Sequence, residues 1–276
     1  MSFGPYITQM EDSLRREFSV IRVESLDQMT KAAVNALIAT VRGLIDKAYN
    51  RYIRGVLIFL LKFMRGEVKM FHDMIDGSRL PASNNRLWSS IMNSPLPGNG
   101  QFMLHMLEAL RVVTQAKVAD TIYKAAANAT PVADALAALV GSPSNLFGTS
   151  VMAKAGAQNT IVIDTIVQHI SQMTEAAVAS STFNEYTWVS IIDKGTTPIC
   201  RERDGQVYVY GEGPLSPAHY GCRSMTVPGR VTDEPATYAA WLTTQPASIV
   251  RDLGNIISPR PLSLDGFMSK LDLILQ

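Results

Sequence analysis

Residues 188–228, WVSIIDKGTTPICRERDGQVYVYGEGPLSPAHYGCRSMTVP, decide how the chain is read. They hold both cysteines, Cys200 and Cys222, and one of the four histidines, His219. Trp, Val and Ile crowd residues 186–192, the composition of a buried strand. Residues 194–198 (KGTTP) turn the chain, with Gly195 and Pro198 supplying the backbone conformations. Asp204-Gly205 signals a hairpin, because a type I′ turn needs a positive φ that glycine tolerates. Residues 206–210 (QVYVY) alternate as a half-buried strand should. The Gly- and Pro-rich run 211–217 is too irregular for an element and delivers His219, Cys222 and Arg223 into a last short strand, 224–227. The expectation is a compact few-stranded unit in which Cys200 meets the segment 219–222.

Before this stretch the pattern is helical. The fold class predicted is mainly α, with a small α+β unit near the C-terminus. A short helix over 8–24 turns on Met10, Leu14 and Phe18. Ser25 reads as an N-cap, with Gln28 three residues on completing a capping box. A long helix follows to about Asp76, with Val34, Ile38, Val41, Ile45, Tyr52, Leu60, Phe63, Met70 and Met74 on one side. Gly43, Gly55 and Gly66 are points where it can bend. Residues 77–100 are loop-rich, with one short helix near 87–92. Further helices are expected over 101–128 (Met103, Met106, Leu107, Leu110 and Val113 inward), 131–140 and 159–179 (Ile163, Ile166, Val167, Ile170, Met173 and Ala177 inward). Residues 141–148 read as a loop. The chain thus divides at 1–95, 96–180, 181–230 and a helical tail, 231–276, in which Trp241 and Leu242 cover the compact unit.

The polar side of the long helix carries a second pattern. At 100° per residue, Lys47, Arg51, Arg54, Lys62, Arg65 and Lys69 share a sector of roughly 80°. Two readings fit: a stripe for phosphates or an acidic partner surface, or an ordinary solvated face. Net charge is only +1 over 276 residues, so no global attraction to nucleic acid or membrane is implied. Apolar content of 47% against 18% charge describes a chain able to bury a sizeable core. Two cysteines rule out a disulfide scaffold and suit a reducing compartment. The first residues, MSFGPYITQMEDSLRREF, lack an apolar signal core, and VLIFLL at 56–61 is far shorter than the roughly twenty residues of a span.

Three readings compete for Cys200, His219 and Cys222. They can be three ligands of a zinc ion, with Asp193 or Asp204 as a fourth or with an open position. They can hold a Cys200–Cys222 disulfide formed after the cytoplasm is left, or they can be packed side chains with His219 bonded to backbone. A zinc deaminase needs His-x-Glu and Pro-Cys-x-x-Cys, which do not occur. A Cys–His–Asp nucleophile is possible by residue type but has no Gly-rich oxyanion turn beside it. Arg223 and Asp193 are the expected ion pair, a planar guanidinium bracing two loops through a carboxylate. His72, His105 and His169 sit on separate helices without an i, i+4 partner and read as packed or surface residues.

The ordered succession Trp188, Asp193, Thr196, Thr197, Pro198, Cys200, Asp204, Gly205, Pro217, His219, Cys222, Arg223 resembles the motif of the phage Mu F-like family of minor head, or head morphogenesis, proteins. Cys-Arg-Ser stands here where some members have Cys-Arg-Cys. The likeness covers about the last third of the chain. It implies a non-enzymatic virion protein at the head interior or portal vertex, assembled in the host cytoplasm. Its implied partners are the portal or major capsid protein and phage DNA, with no membrane and no obligatory cofactor. Two rivals remain: a metal-dependent hydrolase or toxin-like effector built on the Cys–His cluster, and an internal DNA-binding protein using the basic stripe.

Overall fold

The computed structural model describes residues 3–96, 100–141, 149–193 and 195–230. The expected cover by Trp241 and Leu242, the tail helix and the loop over 142–148 lie outside them. The fold is mainly α with a small antiparallel sheet. Helices α1 (Gly4–Ser19), α2 (Lys31–Met74), α3 (Asn84–Met92), α4 (Met103–Ala127), α5 (Val132–Val140) and α6 (Val151–Ala179) precede strand β1 (Glu185–Val189). Helix α7 (Pro198–Arg203) and strands β2 (Val207–Val209) and β3 (Met225–Pro228) complete the described chain. No helix among the described residues is long and apolar enough to cross a membrane.

Two compact units emerge. One comprises the described residues of Met1–Phe63 and Gln101–Ile166, the other those of Met64–Gly100 and Val167–Gln276. In the first, α1 buries Met10, Leu14 and Phe18. Phe3, Tyr6, Tyr49 and Tyr52 form an aromatic knot, Phe3 and Tyr52 lying 4.4 Å apart between ring centroids. A fully buried ring of this kind removes about 150–250 Å² from water. Tyr49 shares its buried hydroxyl with Thr114 at 2.9 Å and accepts from Asn159 Nδ2 at 3.0 Å, so no polar atom of that ring is left bare.

Several local expectations are corrected. The glycines do not break α2, which runs 44 residues, about 66 Å at 1.5 Å per residue. It is capped by Thr30, whose hydroxyl accepts from Ala33 N, and not by Ser25. Ser25 opens a one-turn 3₁₀ helix, Leu26–Gln28, and bridges to Pro131, while Gln28 reaches back to Glu24 N. Met70 and Met74 are exposed, whereas Tyr52, Val56, Leu60, Met64 and Val68 are buried in steps of four. Each such step advances the stripe by about 40°, so it has turned by roughly 160° from Tyr52 to Val68 and left the two methionines outside. On α4 the buried position is Thr114, not Val113, because its hydroxyl bonds Leu110 O and the Tyr49 hydroxyl. Helix α6 begins eight residues before the expected start, and Ile163, Val167, Met173 and Ala177 are only half-buried on it.

The second unit positions the site. Its sheet has the order β2-β1-β3, both pairings antiparallel, with Thr187 opposite Val207 and Val227. Asp204-Gly205 is not a strand-to-strand hairpin. Gly205 has the expected positive φ of 76°, but it leads out of α7 and gives its N–H to Trp188 O. The extra helix arises because Pro198 at its start has no N–H to leave unpaired and Thr197 O takes the N–H of Cys200 and Arg201. Gly213 has no room for a side chain: a Cβ there would collide with Tyr208 and the Tyr186 hydroxyl.

Candidate functional site

The module's core is Trp188, Cys200, Ala218 and Cys222, with Tyr208 packed against it. Trp188 is fully buried at the centre of the sheet, and the Arg203 guanidinium lies 5.1 Å from its ring centroid. Its indole N–H donates to Ser190 Oγ at 2.9 Å. Ser190 is a hub: its hydroxyl donates to Cys200 O and contacts Ser224 Oγ, both at 2.8 Å, and its N–H donates to Asp204 Oδ1 at 2.7 Å. Nothing in the sequence singled Ser190 out.

Helix α7 presents Cys200, and the loop after β2 presents His219 and Cys222. The three ligand-type atoms lie within 4.8 Å of one another. Cys200 Sγ is 3.2 Å from His219 Nε2 and 3.6 Å from Cys222 Sγ, and both thiols are free. His219 Nδ1 lies 2.9 Å from Tyr220 O, a carbonyl that can only accept. The imidazole proton therefore sits on Nδ1, and the Nε2 lone pair faces the cysteines. Burial pushes the Cys200 thiol up, and the neighbouring Cys222 sulfur adds to the shift. At Cys222 burial acts in the same direction but is outweighed by the N–H groups of Ser224 and Ala218 and the Ser224 hydroxyl, so this thiol is lowered.

Arg223 and Asp193 form a two-pronged ion pair, both N–O distances 2.6 Å. That hydrogen bonding holds the Asp193 carboxyl far below the usual carboxylate range. Asp193 also closes its own turn, accepting from Gly195 N and the Thr196 hydroxyl. Neither Asp193 nor Asp204 joins the Cys–His cluster, which corrects the expectation of a carboxylate as fourth ligand. One is tied to a guanidinium, and the other, its carboxyl raised by burial, takes the Ser190 N–H. A cavity of about 20 Å³ opens beside Cys200 and His219, lined also by Thr197, Gly221, Arg223 and Ser224. The Thr197 hydroxyl is buried beside the Cys200 thiol.

Comparisons with family models, with curated proteins and with solved structures find no match.

A set of residues missed in the sequence seats the module on α6. Gln168, Gln172 and Glu175, spaced i, i+4, i+7, share a face of that helix. Gln168 Nε2 donates to Ser216 Oγ at 2.7 Å and to Ser224 O. Gln172 Oε1 accepts from Thr226 N at 2.5 Å and from Thr226 Oγ1 at 2.7 Å. Glu175 is buried, its Oε1 2.6 Å from the Tyr210 hydroxyl and its Oε2 2.8 Å from Thr226 Oγ1. His169, on the same helix, is buried without a partner and is lowered to about 4 by desolvation.

All six residues of the basic stripe are exposed along α2. Two nearby acids on α2 are engaged elsewhere: Asp46 pairs with Arg111, and Glu67 accepts from Ser171 Oγ at 2.5 Å. Lys69 is partnered by Asp73 at 2.5 Å and Arg65 reaches Asn85 at 3.5 Å.

Proposed function

We propose that the chain is a minor head protein of a tailed phage, acting by binding at or near the portal vertex and assisting capsid assembly or DNA packaging and delivery. The observation that carries the reading is convergence. Trp188, Cys200, Ala218 and Cys222 share one core, with Asp193, Asp204, His219 and Arg223 bonded around it. Residues that resemble a family motif in sequence therefore act as one physical unit, and that unit is braced for rigidity. Its partners in this reading are the portal or major capsid protein and the packaged DNA, and its location is the virion.

Binding is favoured over catalysis because both thiols are buried in the module's core, packed with Trp188 and Ala218. The test is His219→Ala with Cys222→Ser in a phage complementation assay. Infectivity and head-bound protein should fall together. A double variant that folds, enters heads at the normal level and still abolishes infectivity would overturn the binding reading in favour of chemistry at the cluster. The exposed stripe on α2 favours a second role in the same setting, contact with packaged DNA, read out as salt-dependent binding to duplex DNA.

A further inference from the structure

The geometry points to a metal site: Cys200 Sγ, Cys222 Sγ and His219 Nε2 bind one thiophilic divalent cation of the zinc class, with a water completing the tetrahedron from the adjoining cavity. Tetrahedral zinc with Zn–S of about 2.3 Å and Zn–N of about 2.0–2.1 Å sets S···S near 3.8 Å and S···N near 3.6 Å. Two of the three separations here, 3.6 Å between sulfurs and 3.2 Å from Cys200 Sγ to His219 Nε2, lie within a few tenths of an ångström of those values, and all three atoms lie within 4.8 Å of one another. The inference stands whether or not the chain is a head protein.

Four further observations point the same way. The imidazole tautomer is fixed for ligation, since Nδ1 gives its proton to Tyr220 O and leaves Nε2 bare. Both thiols are free and their sulfurs lie side by side, 3.6 Å apart, with no disulfide between them. The cavity beside Cys200 and His219, about 20 Å³, suits one water, and the Thr197 hydroxyl is on its wall. Charge also balances: two thiolates neutralise a dication, and the Arg223 guanidinium on the wall is already neutralised by Asp193. On binding, both S–H bonds break, their electron pairs go to the metal and about two protons pass to solvent, with no change of oxidation state. The ion would tie α7 to the loop carrying His219 and Cys222, which the sheet alone does not join.

The test uses the full chain, reduced and stripped of metal, titrated with Zn(II) against a chromophoric chelator and separately with Co(II). The expected result is one ion per chain, a thiolate-to-cobalt charge-transfer band with tetrahedral d–d absorption, and proton release that grows as pH falls. Cys200→Ser, Cys222→Ser and His219→Gln should each weaken Zn(II) by more than about a hundredfold, since even outer partners of a metal ligand cost 10–100-fold. Where a cysteine variant fails to fold, His219→Gln decides, because His219 is only partly buried and its loss leaves the core sulfurs in place. Absence of stoichiometric Zn(II) uptake by the folded, reduced chain would overturn the proposal. So would variants that bind as tightly as the wild type, or a cobalt spectrum without sulfur-to-metal charge transfer.

Discussion

Glu175 offers the sharpest physical prediction, because the protons around it can be counted. The Thr226 hydroxyl has a single proton and two close oxygens, Gln172 Oε1 at 2.7 Å and Glu175 Oε2 at 2.8 Å. Gln172 cannot turn its amide nitrogen toward Thr226, because Thr226 N–H already donates to that same Oε1. One proton cannot serve both, so with Glu175 ionised one of the two contacts is oxygen facing oxygen, and both are satisfied only if Glu175 is protonated and donates. Burial raises the Glu175 carboxyl in the same direction, outweighing its hydrogen bonds with Tyr210 and Thr226. A carboxyl whose folded value lies above its unfolded one binds more protons when folded. Its stabilisation is complete below the unfolded pKa and is lost as pH rises through the folded value. Glu175→Gln keeps the shape and the donor but cannot ionise. At acid pH the variant should match the wild type. At neutral and alkaline pH it should be more stable, by about 1–3 kcal/mol, the cost of a buried oxygen left facing another without a proton. For chains somewhat smaller than this one that amounts to roughly 2–4 °C in Tm per kcal/mol. Thermal unfolding followed by circular dichroism from pH 4 to 9 measures it. A variant less stable than the wild type at neutral pH, with the same pH slope, would refute the proton count.

Asp193→Asn tests the ion pair with Arg223. The Asp193 carboxyl is depressed by that guanidinium, so its contribution is present above the ordinary carboxylate pKa and disappears as pH falls toward the folded value. Arg223 is about half exposed, so the variant should lose no more than about 1 kcal/mol at pH 7 and show a flatter acid limb in urea unfolding. A loss of several kcal/mol would mean that the pair holds the fold and not merely two loops. Arg51→Glu, Arg54→Glu and Arg65→Glu together should leave unfolding unchanged, since all three are exposed, while weakening duplex-DNA or capsid association and lowering its salt slope. Unchanged association in both assays would make the stripe an ordinary solvated face.

Much of this architecture was legible in the sequence. The helices followed from 3.6-residue periodicity, and the meeting of Cys200 with the 219–222 segment followed from strands and turns read in order. Where the reading failed, a local signal had two physical meanings. Gly205 does need a positive φ, but the exit from a short helix uses that conformation as readily as a hairpin does. Helix α7 is six residues long, too short for any periodicity, and its proline looked like a turn residue when it is a helix start. Met70 and Met74 were misplaced because a fixed 100° stripe does not follow a buried face that advances in steps of four. Gln168, Gln172 and Glu175 escaped notice because polar residues at i, i+4, i+7 read as a solvated face. Only the tertiary structure supplies their partners, Ser216, Ser224, Thr226 and Tyr210. The ligand-like geometry at Cys200, His219 and Cys222 was legible as residue types, but the choice of imidazole nitrogen depends on the Tyr220 carbonyl.

The central claim, a virion protein that works by binding, is tested most directly by finding where the chain goes. Heads purified from cells producing a phage that encodes it should contain the full-length chain, by quantitative mass spectrometry, in contact with portal or capsid protein after cross-linking. Heads that contain none of it, while the chain stays in the cell lysate, would contradict the account.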